Sequence, residues 1–147
     1  MNDTQAPINE IEKKSRLLLV DDEPGIRTAV QAYLQDEGFE VSTASDGDEG
    51  WQIAQQLFPD LIISDVMMPR CDGYGLLKRL REDERLGGTP VIFLTAKGMT
   101  VDRTQGYLAG VDDYISKPFD PDELIARVKN VVKRQERLLT EAARFAD

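Results

Sequence analysis

The chain contains no histidine and only one cysteine, Cys71. These absences exclude Ser-His-Asp triads, the usual Cys/His zinc sites and an internal disulfide framework. Acidic residues outnumber basic residues by 27 to 18, and the net charge of −9 opposes direct binding of this fragment to nucleic acid. The chain has no run of about 18 apolar residues that could span a membrane, and residues 1–15 lack the apolar core of a signal peptide. We therefore expect a cytoplasmic protein without membrane contacts.

The pattern of apolar residues predicts one domain with a single core, which suits a length of 147 residues. Residues 1–15 are polar and lack a sustained period, which predicts a flexible leader. Beyond them, apolar runs typical of buried strands alternate with segments of helical periodicity. The predicted strands are 17–20, 39–44, 61–64, 90–94 and 113–115. The predicted helices are 26–34, 51–57 with Asp46 as cap, 74–84, 100–109, and one from 120 onward.

Five strand and helix pairs in this order predict a doubly wound α/β fold, with a five-stranded parallel sheet and helices on both faces. The last helix shows no break before the end of the chain, so we expect it to overrun the domain. It carries a heptad seam at Leu124, Val128, Val131, Gln135, Leu138, Ala142 and Phe145. The first part of this seam is expected to face the sheet, and the second part has nothing in this domain to pack on.

Ligands of doubly wound folds bind at the carboxyl ends of the strands, so the residues that follow those ends are the candidate functional residues. Strand by strand they are Asp21, Asp22 and Glu23, then Asp65, then Thr95 and Ala96, then Lys117 and Pro118. Carboxylates gathered in one site raise each other's pKa unless a cation neutralises them. Because all the candidate ligands are oxygens, we expect Mg²⁺ there rather than zinc or iron.

Asp65 fits the role of a phosphoryl acceptor, because a carboxylate is already ionised at neutral pH and needs no separate base. Lys117 and the Thr95 hydroxyl are groups that can hold the oxygens of a transferring phosphoryl group. The backbone amides of Met67 and Ala96 would share the charge of the resulting acyl phosphate. The sequence therefore predicts phosphoryl transfer to Asp65 with Mg²⁺.

Five short motifs together resemble those of the response-regulator receiver family of two-component signalling. They are LVDDE at 19–23, SDVMMP at 64–69, DG at 72–73, LTA at 94–96 and SKPF at 116–119. Each motif alone is weak, but all five in this order and spacing form a specific signature. The resemblance covers about residues 16–133, which we assign to a receiver domain. It implies a flavodoxin-like (βα)5 fold with strand order 2-1-3-4-5.

The resemblance also implies roles for the residues at the strand ends. Asp65 would accept a phosphoryl group from a sensor histidine kinase. Asp22 and the Met67 carbonyl would bind Mg²⁺ directly beside Asp65, and Asp21 would act through water or orient ligands. Lys117 would bridge to the phosphoryl group, and the Lys117–Pro118 peptide would be cis. The chain is then a signalling domain and not an enzyme, beyond its own phosphoryl transfer and slow autodephosphorylation.

Receivers relay phosphorylation by moving a hydroxyl and an aromatic residue, which correspond here to Thr95 and Tyr114. The movement remodels the face formed by the fourth helix, the fifth strand and the fifth helix. Tyr114 also has a plainer interpretation, because an aromatic residue at a strand end is as often simple core packing.

Residues 134–147 are interpreted as an extension of the last helix toward an output domain missing from this chain. This tail and the 96–100 segment resemble regulators of photosynthetic bacteria and plastids that carry a helix-turn-helix output, which implies transcription regulation through DNA. A homodimer could form through the last helix or through the face of the fourth helix, the fifth strand and the fifth helix, which we call the switch face. The alternative is a stand-alone receiver that docks to a partner protein. A phosphatase with an aspartyl nucleophile is more distant, since that family requires a second Asp where this chain has Met67.

Overall fold

The structure of the protein is a computed structural model that describes residues 14–68, 70–96 and 110–144. The strands are β1 (Arg16–Val20), β2 (Glu40–Ala44), β3 (Leu61–Asp65), β4 (Val91–Thr95) and β5 (Asp113–Ser116). The helices of this part of the chain are α1 (Pro24–Asp36), α2 (Gly47–Leu57), α3 (Gly73–Glu82) and α4 (Pro121–Arg144). The helix predicted at 100–109 and most of the predicted leader lie outside the described residues.

All five strands form one parallel sheet in the order β2-β1-β3-β4-β5, which confirms the predicted doubly wound fold and its strand order. Successive residues of β1 point to opposite faces, as strand geometry requires. Leu17 and Leu19 pack in the core that includes residues of α1 and α4, and Leu18 and Val20 in the core beneath α2 and α3. Each fully buried leucine contributes about 1.5–3 kcal/mol, so an unbroken apolar run is the pattern that such a strand needs.

Helix boundaries follow local capping, and the structure corrects both predicted limits of the third helix. The Asp46 carboxylate accepts a hydrogen bond from the Glu49 N–H at 2.8 Å, so Asp46 caps α2 as expected. Asp72 caps α3 in the same way, through the Gly75 N–H at 2.8 Å. The third helix therefore begins at Gly73 rather than 74. It ends at Glu82 rather than 84, because the next residue, at the C-cap, takes an extended backbone conformation.

Helix α4 packs on the sheet only along its first half. Leu124, Val128, Val131 and Val132 are buried, whereas the side chain of Leu138 is 53% exposed. At the boundary, the Gln135 amide donates a hydrogen bond to the Gly88 carbonyl at 3.4 Å. The prediction that the helix overruns the domain is therefore confirmed. None of the helices in the described ranges is long and apolar enough to cross a membrane.

Arg81 joins the end of α3 to the loops that lead into β4 and β5. Its guanidinium donates to the carbonyls of Gly87 at 3.1 Å, Thr89 at 2.7 Å and Gly110 at 2.6 Å. Gly110 has φ of +94°, and a Cβ added there would lie 2.7 Å from Arg81 Nε. Backbone carbonyls that would otherwise need water are thus satisfied by one side chain.

Candidate phosphoryl-acceptor site

The carboxyl edge of the sheet brings together the charged residues that the sequence placed after separate strands. Asp21 directly follows β1, Asp65 is the last residue of β3, and Lys117 directly follows β5. Lys117 Nζ lies 2.9 Å from Asp21 Oδ2, 3.1 Å from Asp65 Oδ2 and 3.1 Å from Glu23 Oε1. One ammonium group therefore contacts three carboxylates from two separate parts of the chain.

Four carboxylates of this edge could share one cation. Asp21, Asp22, Glu23 and Asp65 each offer an oxygen, and these oxygens all lie within 4.8 Å of one another. Asp21 is fully buried and Asp65 is nearly so, so their charges are poorly solvated. Lys117 supplies one positive charge against four negative charges. The donor set is all oxygen and carries excess negative charge, which fits a hard divalent cation such as Mg²⁺.

Burial and neighbouring charges shift the ionisation of the two groups at the centre. Burial raises the pKa of Asp65, the Lys117 charge opposes this shift, and the Asp21 charge adds to it. Burial alone would lower the pKa of Lys117, but its contacts with Asp21 and Glu23 and the charge of Asp65 outweigh that effect and raise it. Lys117 therefore remains an ammonium group throughout the physiological pH range.

The backbone around the two aspartates is held by further hydrogen bonds. Asp21 Oδ1 accepts from the Glu23 N–H at 2.9 Å, and the Asp21 carbonyl accepts from the Arg27 guanidinium at 2.8 Å. Behind Asp65, the Gly73 N–H donates to the Val66 carbonyl at 2.8 Å. These bonds fix one Asp21 oxygen and leave its Oδ2 facing Lys117. The start of α3 is packed against the chain that follows Asp65.

Thr95 is the last residue of β4 and is buried. Its hydroxyl donates a long hydrogen bond of 3.5 Å to Ser116 Oγ on β5, and its carbonyl accepts from the Lys117 N–H at 2.6 Å. The Lys117–Pro118 peptide is cis, as the resemblance implied. Thr95 and Asp65 thus belong to their strands instead of following them, and both lie at the predicted edge.

The other predicted residues differ in exposure. The Met67 side chain is 62% exposed and Ala96 is exposed, next to the ends of β3 and β4. Tyr114 is buried in β5, and its ring meets Phe93 edge to face with centroids 5.8 Å apart. Tyr114 therefore lies in the core of one sheet face, next to the strand that carries Thr95.

Glu23 is the site residue to which the sequence assigned no role. It contacts Lys117 and belongs to the carboxylate cluster. The signal that could have found it is its position, because it follows Asp21 and Asp22 directly and precedes a proline that starts α1. Glu23 reaches Lys117 because its side chain is long, and the position of Glu23 in the sequence does not indicate this contact.

The sequence model of the family described as "Response regulator receiver domain" matches residues 17–129. The chain belongs to this family and is the receiver domain of a response regulator, a signalling domain. The predicted family membership is thereby confirmed.

Two curated relatives come from Synechocystis sp. (strain ATCC 27184 / PCC 6803 / Kazusa). Response regulator Rre1 is 57% identical over 121 residues, which are 82% of this chain and 52% of Rre1. The DNA-binding dual master transcriptional regulator RpaA is 45% identical over 123 residues, which are 84% of this chain and 51% of RpaA. The chain spans about half the length of these relatives.

A similar solved structure is the receiver domain of sensor histidine kinase PA1611 from Pseudomonas aeruginosa PAO1, which has a magnesium ion coordinated in its active site cleft. The TM-score is 0.75 and the sequences are 31% identical, over 82% of this chain and 99% of that chain. The fold assigned from the strand order is therefore found in a solved receiver.

Proposed function

We propose that the chain accepts a phosphoryl group on Asp65 from a sensor histidine kinase, with Mg²⁺ held at the same edge. The observation that supports this most is the contact of Asp65 with Lys117 at 3.1 Å, inside a cluster of four carboxylates. Asp22 and the Met67 carbonyl would hold the ion directly beside Asp65, and Asp21 would act through water. The magnesium ion of the PA1611 receiver supports the choice of metal.

The transfer needs little covalent chemistry from the protein. A carboxylate oxygen of Asp65 forms a bond to phosphorus, and the bond from phosphorus to the phosphohistidine nitrogen breaks, its electron pair leaving with the imidazole. Lys117 then pairs with a phosphoryl oxygen, and the Thr95 hydroxyl and the amides of Met67 and Ala96 donate to the others. When bound, Mg²⁺ supplies charge neutralisation for these oxygens. After the transfer, the only further reaction of the chain would be slow autodephosphorylation. The chain would therefore be a signalling domain and not an enzyme with turnover.

The signal would leave the site through Thr95 and Tyr114. Within the described ranges the Thr95 hydroxyl makes one hydrogen bond, a long one to Ser116, so a phosphoryl oxygen can compete for it. Tyr114 lies on the adjacent strand against Phe93, where a shift of the end of β4 changes its packing. We propose that this movement remodels the face that includes β5 and the start of α4.

The names and lengths of the relatives support an output domain outside this chain. Rre1 and RpaA are about twice as long as the matched segment, and RpaA is named as a DNA-binding regulator. We propose that residues 16–133 form the receiver and that 134–147 connect it to a DNA-binding domain that controls transcription. The net charge of −9 opposes direct binding of this fragment itself to DNA. A homodimer through the switch face or α4 would suit such a regulator, and a stand-alone receiver is the alternative.

Intact-mass spectrometry after incubation with Mg²⁺ and acetyl phosphate tests this proposal. We expect one added phosphoryl group in the wild-type protein and none with EDTA or in Asp65→Asn. Asp36→Asn, at the exposed C-terminal end of α1, is the matched control and should be phosphorylated normally. No addition in the folded wild-type protein, or equal addition in Asp65→Asn, would reject Asp65 as the acceptor.

A further inference from the structure

Glu23 occupies the N-cap position of α1 but does not cap the helix. Its side chain makes no capping hydrogen bond, and Pro24 follows at the start of the helix. Ser, Thr, Asp and Asn are the residues that stabilise this position, and their short side chains reach the first free N–H groups. The Glu23 carboxylate instead accepts a hydrogen bond from Lys117 Nζ at 3.1 Å, across 94 residues of sequence. The Glu23 carboxylate therefore contacts Lys117 and not the N-terminus of the helix.

Lys117 has three carboxylate neighbours at 2.9–3.1 Å, and it donates hydrogen bonds to two of them, Asp65 and Glu23. Phosphorylation would change the Asp65 carboxylate that Lys117 contacts, so the ammonium has to move to reach a phosphoryl oxygen. Asp21 is fully buried, and its other oxygen accepts a hydrogen bond from a backbone N–H. Its carboxylate therefore cannot move with Lys117, and water cannot replace the ammonium group beside it. The Glu23 side chain is 59% exposed, and water can replace Lys117 there at little cost. Glu23 is thus the neighbour that Lys117 can leave.

We propose that Glu23 is a positioning residue that holds Lys117 in the unphosphorylated state and competes with the phosphoryl group for it. This inference rests on the proposed phosphorylation of Asp65. An exposed ion pair of this kind changes an equilibrium by about two- to fivefold. Removal of the Glu23 charge should therefore lower the acetyl phosphate concentration for half-maximal phosphorylation by about two- to fivefold.

Two substitutions separate this role from any effect on the helix. Glu23→Gln keeps the length of the side chain and removes its charge. Glu23→Asp keeps the charge, but its side chain is shorter by about 1.5 Å, which places the carboxylate beyond ion-pair distance from Lys117. Asp is a favoured N-cap residue, so Glu23→Asp stabilises α1 whereas Glu23→Gln does not. Both variants should nevertheless show the same gain in phosphorylation. Asp36→Asn at the other end of α1 controls for the change in net charge.

The Lys117 ammonium provides a readout that does not depend on phosphorylation. In Mg²⁺-free protein labelled with ¹⁵N-lysine, NMR should show its protons exchanging with water at least about twofold faster in both Glu23 variants than in Asp36→Asn. Calorimetry should show the Mg²⁺ affinity of Glu23→Gln lowered by less than about fivefold, because only one exposed charge of the cluster is removed. A large loss of Mg²⁺ affinity would make Glu23 a metal ligand and overturn the inference.

The two proposals fail in different ways. If no protein is phosphorylated on Asp65, the proposed function is wrong. If the wild-type protein is phosphorylated but the Glu23 variants match Asp36→Asn, or differ from each other in step with helix stability, the role of Glu23 is wrong. Unchanged exchange of the Lys117 protons in both Glu23 variants overturns it whether or not Asp65 accepts a phosphoryl group.

Discussion

The close packing of Gly73 behind the acceptor loop makes a quantitative prediction for Gly73→Ala. A Cβ at this position would lie 2.6 Å from the Asp65 carbonyl oxygen and 2.9 Å from Val66 Cα. Both contacts are to backbone, so no side-chain rotation can relieve them. Overpacking costs about 1–3 kcal/mol, and the upper half of that range applies here. The lower entropy of the unfolded chain returns about 0.4–1 kcal/mol. We expect a net loss of about 1–2.5 kcal/mol.

Gly25→Ala is the matched control, because Gly25 also lies in the first turn of a helix and has nothing within 4 Å of an added Cβ. This variant should gain about 0.4–1 kcal/mol. Urea unfolding followed by far-UV circular dichroism, in EDTA to keep metal binding constant, measures both free energies. In a thermal scan, the melting temperature of Gly73→Ala should fall by about 3–8 °C, at about 3 °C per kcal/mol for a chain of this length. A Gly73→Ala protein as stable as the wild type would refute this account of the packing.

Two further predictions concern burial of charge and of the last helix. Because burial and the Asp21 charge raise the pKa of Asp65, the folded state loses stability as the pH rises above the ordinary pKa of an aspartate. Asp65→Asn should therefore increase the free energy of unfolding at pH 7 in EDTA, and the gain should vanish as the pH falls below about 4. A gain independent of pH would contradict this. Leu124→Ala should cost about 2–5 kcal/mol and Leu138→Ala less than about 0.5 kcal/mol, because only Leu124 is buried. Equal losses in thermal unfolding would mean that the far half of α4 is packed.

Much of the fold could be predicted because the strands leave a strong signal in the sequence. Leu17 to Val20 form an unbroken apolar run, which a strand buried on both faces requires. The convergence of Asp21, Asp65 and Lys117 followed from topology alone, since parallel strands end at one edge.

Other features depend on contacts between distant parts of the chain, which no local pattern encodes. The reach of Glu23 to Lys117 depends on side-chain length and on the position of a strand 94 residues away. Arg81 satisfies carbonyls on two loops, yet its position in α3 is that of an ordinary surface arginine. The sequence pattern predicts the end of α3 two residues too late, because helical propensity continues past Glu82. In the structure the backbone becomes extended at the next residue.

The half-packed α4 gives the molecule a mechanical property. From Val132, the last buried residue, to Arg144 the helix extends about 18 Å, at 1.5 Å per residue. A tilt of about 10° where α4 rests on the sheet would sweep its far end through about 3 Å. That displacement exceeds the sub-ångström shifts to be expected where α4 meets the sheet. A rigid helix of this length would therefore act as a lever arm, and a small repacking beneath Leu124 and Val128 would produce a larger displacement at Arg144.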